Sequence, residues 1–140
     1  MNRTLDHEII RKLRRLFRAL TAQRDETLKR FGLSGAERTV LEFLYPDAAL
    51  TVPQIARRFR VSRQHIQVNV NSLGDKGLLL QTENPDHARS PLLRLTNKGV
   101  TTFAAIEETE KDIIGRLFQT IPAAEKVVTA RVLGQLLDKL

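Results

Sequence analysis

The chain has 140 residues, enough for one domain around a single core and too few for a two-domain enzyme. Hydrophobic residues make up 41% and charged residues 28%, which excludes both a disordered chain and a membrane-spanning one. There are 23 Lys plus Arg against 16 Asp plus Glu, a net charge of +7, and the excess sits in two blocks, residues 1–31 and 51–99, each at +5.

A block of that charge attracts polyanions and would release counterions from a nucleic acid. The plainer reading is a solvated basic face. The absence of Cys excludes disulfides, thiolate metal sites and cysteine nucleophiles. His7, His65 and His87 have no metal-ligand spacing, so no metal or other cofactor is expected. Arg11, Lys12, Arg14, Arg15 and Arg18 interrupt the apolar positions that a secretory signal would need. No other stretch approaches the ~20 apolar residues of a membrane helix. The protein is therefore expected in the cytoplasm.

Residues 3–31 hold no Pro or Gly, and Leu5, Ile9, Leu13, Leu16 and Leu20 recur at helical spacing with Ile10 and Phe17 beside them. One helix cannot bury so long a stripe alone, so it must pack on the rest of the chain or on a partner. Phe31-Gly32 ends it, with Gly at the left-handed C′ position. Ser34 to Glu37 has the capping-box pattern and opens a second helix that runs to about Tyr45 and carries Val40, Leu41 and Leu44. Pro46-Asp47 breaks it. Leu50 can make a short strand before Thr51, which caps a short third helix carrying Ile55, Ala56 and Phe59.

After the tight connection Arg60-Val61, Ser62 begins a fourth helix whose inward positions are Ile66, Val70 and Leu73. Asn69 falls on the same inner edge, where its amide must be hydrogen-bonded or partly exposed by a departure from helix geometry. Gly74 and Gly77 weaken and end the helix. Leu78–Thr82 and Leu92–Leu95 read as two strands of a hairpin, with turn-rich residues 84–90 between them and Pro91 at a strand start or edge. Thr96 to Gly99 opens another helix carrying Val100, Phe103, Ile106, Ile113, Ile114, Leu117 and Phe118. Ile121-Pro122 interrupts it before a last helix with Val127, Val128, Val132, Leu133, Leu136 and Leu137.

The order helix, short helix, tight turn, capped helix and basic-tipped hairpin is that of a winged helix-turn-helix, in which the fourth helix enters the major groove and the hairpin reaches the flanking backbone or minor groove. With Ile66, Val70 and Leu73 inward, Arg63, Gln64, Gln67 and Asn71 face outward, with His65 and Val68 toward the edges, and Ser62 at the helix start completes the candidate contacts. Arg can bind guanine and Gln or Asn adenine in a bidentate manner, and Val68 suits a thymine methyl. No acid lies between Ser62 and Leu73, which sets this face apart from an ordinary polar one. At the hairpin tip, Asp86, His87, Arg89 and Ser90 are candidate contacts, Arg89 for a narrow minor groove with Asp86 able to hold its guanidinium.

The stretch LTVPQIARRFRVSRQHIQVNVNSLGDKGLL from Leu50, with the wing NPDHARSPLLRLTNKG closed by Leu95-Thr96-x-Lys98-Gly99, resembles the MarR (multiple antibiotic resistance regulator) family of bacterial winged-helix transcription regulators. The resemblance implies a mainly α fold with a small β-hairpin wing, whose N- and C-terminal helices form a dimerisation region. It gives residues 1–33 and 100–140 as dimerisation helices and 34–99 as the winged-helix lobe of one domain spanning 1–140. It further implies a homodimeric repressor of double-stranded DNA, and it leaves room for a small-molecule effector that nothing in the residues identifies.

The apolar surface of the outer helices also points to a dimer, which would set two recognition helices about 34 Å apart on a pseudo-palindromic site. A membrane reading would instead lay the basic first helix on an anionic lipid surface, but the stripe belongs more economically to a dimer core, so no membrane partner is expected. Two further classes share the same composition: a winged-helix protein-interaction module that has lost DNA binding, and an RNA-binding protein, for which few exposed aromatics are available for stacking. Enzyme function has no support: there is no Gly-x-Ser-x-Gly elbow, no phosphate-cradling Gly-rich loop and no His-Glu-x-x-His.

Overall fold

The computed structural model describes residues 3–140. Six helices and one hairpin follow in the order α1 (Arg3–Lys29), α2 (Gly35–Leu44), α3 (Val52–Phe59), α4 (Arg63–Asp75), β1 (Leu79–Thr82), β2 (Leu92–Leu95), α5 (Asn97–Phe118) and α6 (Ala123–Leu137). The chain divides into two compact units, one ending at Glu108 and one running from Thr109 to Leu140. No helix among the described residues is long and apolar enough to cross a membrane.

Local chemistry sets most of the boundaries. The carbonyl groups at the end of α1 are closed by a turn that places Gly32 at φ 68°, where a side chain would be strained. Ser34 and Glu37 make the reciprocal capping box of α2, and Thr51 and Gln54 make that of α3. Ser62 Oγ accepts the His65 N–H at 3.0 Å and so caps α4. Gly77, at φ 73°, turns the chain from α4 into β1.

The first unit is built on a continuous apolar core. Leu28 of α1, Val40, Leu41 and Leu44 of α2, Ile55 of α3, Ile66, Val70 and Leu73 of α4, Leu93 of β2, and Phe103 and Ile106 of α5 are all buried. The Tyr45 ring packs on Phe103 with centroids 4.8 Å apart. The hairpin pairs antiparallel with Leu79 opposite Leu95 and Thr82 opposite Leu92. Leu50 exchanges both backbone hydrogen bonds with Leu93, at 3.2 and 2.7 Å, and so adds the expected one-residue strand beside the wing.

The wing is anchored at its base by the residues of its closing motif. The Thr96 hydroxyl donates to the Gly77 carbonyl at 2.7 Å and accepts the Gly99 N–H at 3.0 Å, while Lys98 Nζ donates to the Lys76 carbonyl at 3.0 Å. A Cβ on Gly99 would lie 2.0 Å from the Leu78 carbonyl oxygen, so only glycine lets α5 start this close to β1. In the second unit, α6 buries no residue, and Leu117, Phe118, Val127, Val128 and Leu137 are exposed.

Candidate nucleic-acid interface

α3 and α4 pack through Ile55 and Ile66, both without exposure, and this fixes which side of α4 faces out. Arg63, Gln64, His65, Val68 and Asn71 are exposed and Gln67 is half-buried; Val68 is 62% exposed. Asn69 stays within regular helix, and its amide donates to the His65 carbonyl at 2.8 Å. That hydrogen bond resolves the inner-edge amide without any departure from helix geometry.

Two of the outward residues are coupled. Gln67 Nε2 donates to Asn71 Oδ1 at 2.8 Å, which leaves the Gln67 carbonyl oxygen as acceptor and the Asn71 amide as donor, the pair of functions an adenine edge requires. His65 turns its ring toward Phe59, with centroids 6.2 Å apart in an edge contact, and is therefore braced by α3. Ser62 is engaged in the cap. The α4 N-terminus beside it presents further backbone N–H groups of the kind that bind phosphate.

The wing tip is a hydrogen-bonded turn in which the Ser90 N–H donates to the His87 carbonyl at 3.1 Å. Asn84 closes its neck, donating to the Ser90 carbonyl at 2.9 Å and accepting the Asp86 N–H at 3.1 Å. The Asp86 carboxylate makes no ion pair with Arg89, so the expected orienting contact is not formed in this structure. What holds the tip is the Asn84 side chain, whose role the turn composition alone does not disclose.

Helix and wing meet across two adjoining hollows. One, of about 480 Å³, brings Arg63, Gln64 and Gln67 of α4 against Arg89 and Ser90 of the wing. The other, of about 410 Å³, joins Arg63 to Asp86, His87 and Ser90, and adds Gln54 and Arg57 from α3. Arg63 lines both. All four wing candidates therefore share a wall with the recognition-helix candidates, whereas Ser62, His65, Val68 and Asn71 lie outside the hollows. Sequence reasoning misses Arg57, because the position of α3 relative to the wing is a tertiary fact.

A buried charge holds α4 to the rest of the lobe. Glu37, only 7% exposed, accepts hydrogen bonds from Lys76 Nζ at 2.6 Å and from the Ser72 hydroxyl at 3.2 Å through the carboxylate oxygen that its capping box leaves unused. Lys76 Nζ also donates to the Gly32 carbonyl at 2.8 Å. Burial disfavours the Glu37 charge, but the hydrogen bonds from Lys76 and Ser34 and the Lys76 charge outweigh it and hold the carboxyl below its ordinary pKa. One carboxylate thus joins the start of α2 to the end of α4.

A short helix bracing a capped, outward-facing helix, with a hairpin that carries Arg89 alongside, defines a winged helix-turn-helix protein. Residues 31–90 match the model of the MarR family. The crystal structure of a MarR family transcription regulator superposes with a TM-score of 0.90 at 25% identity, covering 96% of this chain and 89% of that one. The HTH-type transcriptional repressor MdtR of Bacillus subtilis is 26% identical over 124 residues, 89% of this chain and 80% of MdtR. An uncharacterized protein of Mycobacterium tuberculosis is 47% identical over 79 residues, 56% of this chain and 55% of that protein, so the chain matches about half the length of that relative. In its fold and over residues 31–90 the chain is similar to the MarR family.

Proposed function

We propose that the protein is a sequence-specific regulator of transcription that binds double-stranded DNA as a homodimer, with α4 in the major groove and the wing on the flanking backbone or minor groove. The observation that carries this reading is the shared hollow in which Arg63, Gln64 and Gln67 stand against Arg89 and Ser90. One duplex laid on α4 would meet base-reading side chains and the wing's Arg89 together.

Dimerisation is supported by apolar surface left open in both units: Leu16 and Phe17 on α1 in the first, Leu117 and Val128 in the second. A second copy would cover it and would present two recognition helices to a two-fold symmetric site. The repressor named among the relatives favours repression over activation. A small ligand would relieve it only by binding one spacing of the two lobes better than the other.

Selection of bound duplexes from a random pool tests the whole reading, and a two-fold symmetric motif is the expected result. Arg63→Ala or Gln67→Ala should then cost about 1–3 kcal/mol on that motif and relax base preference. Arg89→Ala should weaken binding to all sequences and flatten the salt dependence. Protein that retards no duplex even at low salt would instead be a protein-interaction module, and preference for single-stranded RNA in competition would move it to that class.

A further inference from the structure

The first basic block lies far along the chain from the recognition hollow, and the helix-turn-helix makes no use of it. Within α1 only Thr27 and Leu28 are buried. Arg11, Arg14, Arg15 and Arg18 are all exposed, and at 100° per residue they fall within about 100° of arc. No apolar position of the stripe shares that arc: Ile9, Leu13, Leu16 and Leu20 lie roughly opposite. If the apolar stripe is covered by a second copy, the arginines are left pointing away from it.

Among the described residues these arginines are also unpaired. The acids of α1 that form ion pairs do so elsewhere, Glu8 with Lys12 at 2.7 Å, Asp25 with Arg24 at 3.4 Å and Glu26 with Lys29 at 3.1 Å. None of the four guanidinium groups makes a hydrogen bond or ion pair among the described residues. Together with Glu8 and Lys12 they line a surface hollow of about 500 Å³. From Arg11 to Arg18 the stripe runs about 10 Å, over which one strand of a duplex presents about three phosphates. It stands about 15–25 Å along the helix from the Leu28 anchor.

We propose that the face formed by Arg11, Arg14, Arg15 and Arg18 is a second duplex-DNA surface, which takes the phosphate backbone of a DNA segment other than the one read by α4. Guanidinium is the side-chain cation best matched to phosphate, through paired N–H donors. A membrane is the poorer partner, because a helix lying in a lipid interface must insert its apolar side, and that side is the one a second copy would cover. The inference rests on the proposed DNA-binding function for its choice of duplex DNA, and the two can fail separately.

The test uses the whole protein, a labelled duplex of random sequence and anisotropy titrations at stepped salt. Substituting all four arginines by Gln should lower the slope of log affinity against log salt by about 2–4, and substituting them by Lys should restore most of it. An immobilised duplex should capture a second labelled duplex through the parent and the Lys variant, but not through the Gln variant. An unchanged slope and unchanged capture in the Gln variant would overturn the inference. So would loss of binding to phosphatidylserine vesicles with the DNA slope intact.

The pair Arg63→Ala with Arg89→Ala separates the two readings. If that pair alone abolishes all duplex binding, the α1 surface is refuted and the recognition helix stands. If the Gln variant alone abolishes it, the α1 surface stands and the recognition helix is refuted.

Discussion

The winged-helix lobe and α1 differ in how far they satisfy themselves. In the lobe, Ile55, Ile66, Leu73 and Leu93 are sealed within one core and even the charged Glu37 has its partners. Along α1, Leu16 and Phe17 stand 53% and 71% exposed, although the helix runs for 27 residues. Tertiary packing supplies most of a helix's stability in water, so α1 beyond its anchor depends on something outside the lobe, while the lobe does not.

Substitutions on the two sides should therefore report on different equilibria. Ile66→Ala opens a cavity in a sealed core and should cost about 2–5 kcal/mol of folding stability in a denaturant titration, losing DNA binding with the fold. Phe17→Glu touches no core and should leave the lobe's unfolding transition within about 0.5 kcal/mol, yet shift the sedimenting species from dimer to monomer. A Phe17→Glu protein that remains dimeric would place the dimer contact elsewhere and remove the contrast.

The next effect tests the lobe's self-sufficiency through pH. Because the folded-state pKa of Glu37 is held below its ordinary value, its contribution is fully present above the carboxylate range and is lost as pH falls through the folded pKa. Glu37→Gln should remove about 1–3 kcal/mol at neutral pH, by leaving Lys76 and Ser72 poorly partnered, and should make stability less steep in acid. Equal acid sensitivity of parent and variant, followed by circular dichroism, would show that the link between α2 and α4 carries no such weight.

Much of this contrast is legible in the sequence. The caps at Ser34, Thr51 and Ser62 and the turn at Gly32 are local devices, so spacing and residue type disclose them. The outward face of α4 follows from the positions of Ile66, Val70 and Leu73. The Glu37–Lys76 contact is not legible, because 39 residues separate its ends and the capping box already accounts for the glutamate. Proximity in sequence suggests the Asp86–Arg89 pair, but the backbone turn with its Asn84 clasp decides where those side chains go. Hydrogen bonding between Gln67 and Asn71 is foreseeable from their i, i+4 spacing, although each alone suffices as a candidate base reader and so hides the coupling.

The smallest effect carries two signs at once. Arg60, which ends α3 at the helix-turn-helix bend, has φ 58° and ψ 44°, left-handed backbone that costs an L-residue about 1–2 kcal/mol. Glycine is free of that cost but loses about 0.4–1 kcal/mol through its more flexible unfolded chain, so Arg60→Gly should raise folding stability by roughly 0.5–1 kcal/mol. The same change deletes an exposed cation two residues before the Ser62 cap, and should weaken DNA binding and lower its salt slope by about one contact. Opposed shifts in melting temperature and affinity would mark Arg60 as a strained residue whose charge serves the interface. Loss of stability in the variant would show instead that the arginine side chain packs on the turn, and that the lobe is as locally satisfied at its bend as it is in its core.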